Sequence, residues 1–129
     1  MFTIARSQAR SKRKFTGKKY KDSSKKRKRE LERPSIETEI GKDKKKKQRT
    51  MGGNFKLKLF STSFINVTDL KSNKTSKVKI LRFDSNESSK VLNRRHIITK
   101  GAIVETELGK AKVTSRPGQH GVMNGVLIQ

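Results

Sequence analysis

The sequence contains no cysteine, which excludes a disulfide framework, a thiolate zinc site and a cysteine nucleophile. Long apolar runs are missing as well: the longest cover only a few residues, as at 101–104, whereas a membrane-spanning helix needs about 20. No apolar signal-peptide core follows the basic start of the chain. We therefore expect a protein of an intracellular, reducing compartment with no membrane partner.

Residues that build metal and catalytic sites are scarce. His96 and His120 are the only histidines, and few acidic residues lie near them, whereas a metal site requires three or four ligands. Glu105 and Glu107 alternate with apolar residues along a predicted strand. Catalysis by a carboxylate pair requires a pocket that raises the pKa of one member, and the sequence predicts no such pocket. We expect a protein that is not an enzyme and binds no metal, cofactor or small-molecule substrate.

The glycines do not form a nucleotide-binding loop. Gly109-Lys110 has Val104 at the position where the Walker pattern requires a further glycine. Gly52-Gly53-Asn54 allows two interpretations, a hinge or a close approach of backbone amides to a phosphate, and the sequence does not choose between them.

Acidic residues are few beside the basic ones: 11 Asp and Glu against 34 Lys and Arg give a formal net charge of +23. A compact chain with so many like charges repels itself until a polyanion neutralises it. The candidates are nucleic acid, an anionic membrane and acidic polysaccharide. A solvated charged surface alone does not account for an excess of this size.

Charge and apolar content divide the chain in two. Residues 1–50 hold 20 basic, 6 acidic and only 10 apolar residues, too few to offset the entropy of ordering them in a core. Residues 51–129 hold 28 apolar residues among 79, enough for one small domain. We predict a basic, extended tail over 1–50 and a folded domain over 51–129.

The second half predicts strands. Apolar residues alternate with lysine at 55–59, 77–80 and 110–113, which is the period of a strand with one buried face. Leu108-Gly109 is typical of a tight hairpin, and residues 116–121 form a glycine-rich loop before the last strand. The expected fold is mainly β, a small antiparallel β-barrel of five to six strands with a long basic N-terminal tail.

Aromatic residues are also scarce, with six Phe and one Tyr, several of which the core needs. Base stacking on an aromatic platform is therefore not expected to dominate, and shape and phosphate contacts are. Arginine binds phosphate with two hydrogen bonds and stacks on bases, which singles out Arg82, Arg94, Arg95 and Arg116 in the second half.

Several segments together carry a family resemblance. Residues 93–106 (NRRHIITKGAIVET), 113–122 (VTSRPGQHGV), 26–34 (KRKRELERP), 40–41 (IG) and 52–56 (GGNFK) follow one another in order. This set resembles the archaeal and eukaryotic small-subunit ribosomal protein eight family, in the short archaeal form without a long insertion before the RPGQ loop.

The resemblance implies a cytoplasmic structural constituent of the small ribosomal subunit, whose partners are small-subunit rRNA and neighbouring ribosomal proteins. The residues that we predict to bind rRNA are the tail and barrel cations with the glycines and polar side chains beside them. They are Arg10, Lys12, Arg13, Lys14, Lys18, Lys19, Lys25, Lys26, Arg27, Lys28, Arg29, Arg33, Lys44, Lys45, Lys46, Lys47, Arg49, Gly52, Gly53, Asn54, Lys56, Arg94, Arg95, Lys100, Arg116 and Gln119.

Two rival functions remain, an architectural DNA-binding protein and an RNA-processing enzyme. The enzyme would require a pocket with perturbed carboxylates or metal ligands, and the sequence predicts none. An architectural or chromatin-type DNA-binding protein has the same charge but prefers duplex DNA to folded rRNA at equal salt. A mitochondrial targeting segment has the same composition as residues 1–21, rich in Lys and Arg and nearly free of acid.

Binding through phosphate predicts a steep salt dependence. If about ten tail residues neutralise phosphates, the logarithm of the affinity for folded rRNA falls by about seven to nine units per tenfold rise in salt. Filter binding across a salt series measures this slope. A slope near zero would remove phosphate contacts as the basis of binding.

Overall fold

The structure is a computed structural model that describes residues 11–21 and 33–128. The chain divides into two compact units, residues 1–35 and 36–129. Within the described residues, no helix is both long and apolar enough to cross a membrane.

The described part of the first unit contains a small turn. Arg13 and Lys19 lie opposite each other as an antiparallel bridge. The Lys14 amide donates to the Lys18 carbonyl at 2.8 Å, and the Arg13 guanidinium donates to the Gly17 carbonyl at 2.8 Å. Lys14 Nζ lies 5.6 Å from the centroid of the Tyr20 ring. The turn therefore presents its basic side chains from a short, hydrogen-bonded scaffold.

The second unit consists mainly of strands. Their bounds are β1 Glu39–Ile40, β2 Lys44–Arg49, β3 Phe55–Thr62, β4 Phe64–Asp69, β5 Lys74–Ser85, β6 Ile103–Thr106, β7 Gly109–Val113 and β8 Asn124–Leu127. Two short helices, α1 Lys90–Arg94 and α2 Pro117–His120, and a 3-10 turn at Met51–Gly53 lie between strands.

Strands β4 to β8 close into a barrel in chain order, which confirms the predicted mainly β fold and the small barrel. Neighbouring strands are antiparallel except β4 and β8, which pair in parallel with Val67 opposite Gly125. The expectation of a wholly antiparallel barrel was wrong at this one pair. A ring of five strands cannot alternate direction around its whole circumference, so one pair must be parallel.

The alternation in the sequence places the core. Ile65, Val67, Ile80, Val104 and Val113 point inward and are almost fully buried, whereas the lysines between such positions on β5 and β7 are exposed. Burial of this apolar surface is the main source of stability for the barrel. The predicted hairpin at residues 108–109 is confirmed, since β6 and β7 pair with Thr106 opposite Gly109.

Strand β3 is the centre of a separate sheet with the order β1-β3-β2. Leu59 near its end reaches the barrel core and is 1% exposed, but Phe55 and Leu57 are 55% and 42% exposed. The alternation at residues 55–59 thus predicted the strand correctly. The expectation that its apolar face is buried was correct only at Leu59.

Strands β1 and β2 precede residue 51 and both pair with β3. Part of the segment expected as an extended tail therefore has strand structure. The functional division into a tail of residues 1–50 and a barrel domain of 51–129 stays a prediction.

The β4–β8 pair that closes the barrel leaves no room for a side chain at Gly125. A Cβ atom there would lie 3.0 Å from Ile65 Cδ1 and from the Lys112 carbonyl oxygen. Gly125→Ala should therefore lower the free energy of unfolding by about 1–3 kcal/mol through overpacking. Urea denaturation measures the change.

Gly41→Ala is the matched control, because the nearest atom to a Cβ there is Ser61 Cβ at 3.7 Å. It should leave the unfolding free energy within about 1 kcal/mol of the parent. If both substitutions changed the free energy of unfolding equally, the close packing described for Gly125, beside the β4–β8 pair, would be wrong.

Candidate nucleic-acid interface

The β2–β3 hairpin concentrates positive charge. Residues 44–58 contain seven Lys or Arg and no Asp or Glu. Strand β2 is paired on one side only, and all four lysines 44–47 are exposed. Lys46 lies opposite Lys58 in the register of the two strands. The hairpin therefore presents a dense group of positive charges.

Aromatic rings of β3 lie beneath two of these lysines. Lys47 Nζ is 3.9 Å from the centroid of the Phe55 ring, and Lys44 Nζ is 6.0 Å from that of Phe60. Cation–π attraction of this kind contributes about 0.5–1 kcal/mol at exposed sites. It helps to hold the lysines on β2 although lysine itself has low strand propensity.

The predicted residues Gly52, Gly53 and Asn54 form the turn of this hairpin. The Thr50 amide donates to the Asn54 carbonyl at 2.7 Å and closes the turn. Both glycines have positive φ, 73° and 77°, which side chains with a Cβ adopt only with strain. The sequence had suggested a junction between tail and barrel here, whereas the structure has a tight turn between two paired strands.

Helix α2 brings the RPGQ loop onto β3. Pro117 begins the helix and is buried, and Gly121 ends it at φ 72°. A Cβ on Gly121 would lie 2.6 Å from Leu57 Cβ, so only glycine allows this contact. As a result Lys56 Nζ donates to Gln119 Oε1 at 3.2 Å, which joins two predicted residues that are 63 positions apart.

Arg116 lies just before α2 and is exposed. Its backbone amide donates to His120 Nδ1 at 3.4 Å, so the histidine stabilises the loop. The structure thus places Arg116 and Gln119 beside the β2–β3 hairpin. We call this combined surface, residues 44–58 with 116–119, the basic hairpin surface.

A second group of predicted residues lies in α1 and the loop that follows. Arg94 is exposed and takes part in no ion pair within the described part of the chain. Arg95 binds Glu37 with two hydrogen bonds, one of them 2.7 Å long between Nη1 and Oε1. His96 adopts positive φ and stacks on Phe83 with 5.3 Å between ring centroids. Lys100 in the same loop is exposed.

Asn86 holds this loop in place. It is buried, and its side-chain amide donates to the Ile97 carbonyl at 2.8 Å and to Thr99 Oγ1 at 3.0 Å. Its Oδ1 accepts from the Ser88 amide and hydroxyl. Sequence reasoning missed this role, since Asn86 stands in a polar turn segment and nothing in the pattern distinguishes it from its neighbours.

Thr38 connects strand β3 of the hairpin to the loop that follows α1. Its hydroxyl donates to the Leu59 carbonyl on β3 at 2.8 Å, and its carbonyl accepts from the Ile98 amide at 2.8 Å. The segment before β1 therefore joins the sheet to the loop that follows α1.

The acidic residues have structural partners of their own. Asp43 is exposed, and it accepts from the Thr62 hydroxyl at 2.7 Å and from the Ser63 amide. These hydrogen bonds, together with nearby Lys45 and Lys77, lower its pKa against an opposing desolvation effect. The carboxylate is therefore ionised at neutral pH. It lies immediately before β2, and its charge acts on Lys45 at the start of that strand.

Asp69 behaves in the same way in the β4–β5 turn. Hydrogen bonds from the Lys71 amide and the Ser72 hydroxyl lower its pKa. Ion pairs within residues 33–128 join Arg82 to Glu105, Arg95 to Glu37, and Lys110 to Asp84. Arg82, singled out from the sequence, thus has a partner on the barrel, and Lys44 to Lys47 are in none of these pairs.

The remaining predicted residues divide by position. The turn of the first unit holds Lys12, Arg13, Lys14, Lys18 and Lys19, all exposed. Arg33, also exposed, lies at the start of the second described range. Arg10 and residues 25–29 lie outside the described residues. Among the residues that are described, no three His, Asp or Glu side chains are grouped as a metal site requires.

Comparison with known proteins identifies the family. The family described as Ribosomal protein S8e matches residues 7–128 of this chain. The chain belongs to the ribosomal protein S8e family. This confirms the resemblance based on residues 93–106 and the segments around it.

Archaeal members of the S8e family match the chain over nearly its whole length. Proteins named "Small ribosomal subunit protein eS8" from Methanococcus aeolicus, Nanoarchaeum equitans and Methanospirillum hungatei are 53%, 52% and 46% identical to it. Each alignment spans 122 residues, which is 94–95% of this chain and 95–98% of the relative.

Gly121 gives a test of how the S8e chain positions its RPGQ loop. Gly121→Ala should lower the free energy of unfolding by about 2–4 kcal/mol, since it combines left-handed strain with overlap on Leu57. Amide NMR shifts at Lys56 and Gln119 should change with it.

Gly118→Ala in the same helix is the control. A Cβ there would lie 3.6 Å from the Ile36 carbonyl oxygen, an ordinary contact. The account of the α2–β3 contact is wrong if the two variants unfold at the same denaturant concentration.

Proposed function

We propose that the chain is a structural constituent of the small ribosomal subunit that binds and stabilises folded rRNA through phosphate contacts. The names of the archaeal relatives support the assembly, and the basic hairpin surface supports the mode of binding. The observation that carries the proposal is the run Lys44–Lys47, four exposed lysines on an ordered strand outside every ion pair of the described residues.

The physical basis is neutralisation of charge on both partners. Phosphates paired with lysine or arginine release condensed counterions, and that release drives association. The same contacts relieve repulsion among Lys44 to Lys47, which are adjacent and exposed on β2. A strand holds its side chains in a fixed array, so less side-chain and backbone freedom is lost on binding than from a disordered segment.

The barrel acts as the rigid support of this surface. Gln119 and Lys56 are joined by a hydrogen bond, and the exposed Gly52-Gly53 turn lets an RNA backbone approach closely. Arg94, Arg95 and Lys100 supply a second group of contacts beside α1. In this proposal, residues 1–50 supply further phosphate contacts, and RNA orders the parts of that tail that enter its crevices.

The partners in this proposal are small-subunit rRNA and neighbouring small-subunit ribosomal proteins, in the cytoplasm. The role is structural rather than enzymatic, in keeping with membership of a ribosomal protein family. No observation favours the alternative of an architectural DNA-binding protein. Competition between folded rRNA and duplex DNA with equal numbers of phosphates separates the two functions, and preference for the duplex would overturn the proposal.

Replacing Lys44, Lys45, Lys46 and Lys47 by Gln in the full chain tests the hairpin directly. Loss of four phosphate contacts should reduce the steepness of the salt dependence for folded rRNA by about three to four units. Binding isotherms at four or more salt concentrations measure the slope.

The matched control replaces four other exposed lysines, Lys71, Lys74, Lys79 and Lys112, by Gln, which changes the net charge equally. It should alter the slope much less, because none of these residues belongs to the basic hairpin surface. Equal slopes for the two variants would mean that net charge, and not this surface, determines binding.

A further inference from the structure

A cavity of about 190 Å³ opens beside strand β2. Its base is apolar, formed by Leu59 and Met123, which are both almost fully buried. Phe64 forms part of the wall and is 42% exposed, and Val122 lies beside it. The cavity is smaller than the roughly 300–1,000 Å³ of pockets that enclose drug-sized ligands, so it suits a single flat ring system.

Two acceptor groups line the same cavity. Asp43 accepts its hydrogen bonds from Thr62 and Ser63 through Oδ1. Its other oxygen, Oδ2, accepts no hydrogen bond within the described residues. Asn66 donates through Nδ2 to Asn124 Oδ1 at 3.0 Å, which leaves the amide oxygen of Asn66 as an acceptor. The cavity thus offers acceptors to a ligand that carries N–H groups.

Two lysines complete the lining. Lys77 Nζ lies 4.7 Å from the centroid of the Phe64 ring, and Lys45, on β2, also lines the cavity. Both side chains are exposed and flexible at the end, so they reach groups at the cavity mouth. The aromatic wall and the N–H acceptors match the base of a nucleotide, and the two cations match its phosphate.

We propose that this cavity binds one unpaired nucleotide of an RNA strand, with the base against Phe64 and its phosphate on Lys45 and Lys77. The proposal rests on the function proposed above and adds a contact to a base to the contacts with phosphates. It also departs from the expectation that stacking has no large part, because one exposed phenylalanine in a cavity is enough for one base.

The Asp43 carboxylate decides which part of the nucleotide lies inside. A phosphate within the cavity would meet this negative charge at close range, and like charges disfavour each other strongly where water is partly excluded. The exocyclic amine of adenine, guanine or cytosine instead donates to such an oxygen. The base therefore occupies the cavity and the phosphate stays at the mouth with the lysines.

The methionines make the cavity visible in the full chain. The sequence has three, and Met123 lies in the cavity while Met51 is fully exposed at the hairpin turn. With methyl-labelled methionine, addition of a single-stranded adenine octaribonucleotide should move the Met123 signal by the ring current of the bound base. An octamer of the same length with abasic sites throughout should leave Met123 in place, although its phosphates bind the lysines.

Phe64→Ala should weaken the titration followed at Met123 by about 5- to 150-fold, the usual loss for one stacked base. Phe64→Leu keeps the apolar wall if the alanine variant does not fold, and it should also weaken the titration. Leu108→Ala, an exposed apolar residue in the β6–β7 turn, is the control and should leave the titration unchanged.

The outcomes separate this proposal from the broader one. Octamers that bind the chain, move Met51 and leave Met123 unmoved would overturn the nucleotide site while phosphate binding remains. Equal shifts of Met123 with the abasic octamer would overturn it too, as would adenosine monophosphate acting at the same concentration as the octamer. Absence of any binding by either octamer and by folded rRNA would overturn the proposed function itself.

Discussion

Repulsion among like charges opposes the folding of this chain more than any other interaction that its sequence dictates. A chain of 129 residues with a net charge of +23 must fold while its cations push one another apart. The described carboxylates relieve little of this at the hairpin: Asp43 and Asp69 hold turns, and the ion pairs of Glu37, Asp84 and Glu105 lie elsewhere. Lys44 to Lys47 consequently belong to no ion pair within residues 33–128, and we propose a phosphate-rich partner for them.

The fold separates the source of stability from the source of charge. The barrel buries Ile65, Val104 and the other inward residues, and this apolar burial tolerates lysines on the outer face. Strand β2 contributes almost nothing to the core, yet the backbone ladder with β3 keeps its lysines in register. An edge strand rich in lysine also resists pairing with other chains, so the charge on β2 opposes aggregation.

The barrel could be predicted from the sequence because its strands follow the period of two, and Leu108-Gly109 marked a hairpin through turn chemistry. Strand β2 could not be predicted from the sequence, since KKKKQR shows no alternation of apolar and polar residues and has low strand propensity. It forms a strand because it pairs with β3. The same limit applies to the sites. The sequence predicted Lys56 and Gln119 as separate RNA-binding residues. Their hydrogen bond depends on the close packing of Gly121 against Leu57, which is visible only in the structure. The residues that line the cavity at Phe64 come from distant parts of the sequence, so no local sequence pattern predicts it.

If the chain and rRNA stabilise each other as proposed, the free energy of unfolding of the chain should depend on rRNA. The full chain should unfold at clearly higher denaturant concentration with folded small-subunit rRNA present at low salt, because binding to the folded state alone stabilises it. Raising salt should remove this gain and should stabilise the RNA-free chain by screening its cations. A stability of the free chain that does not change with salt, together with no gain from rRNA, would contradict the account.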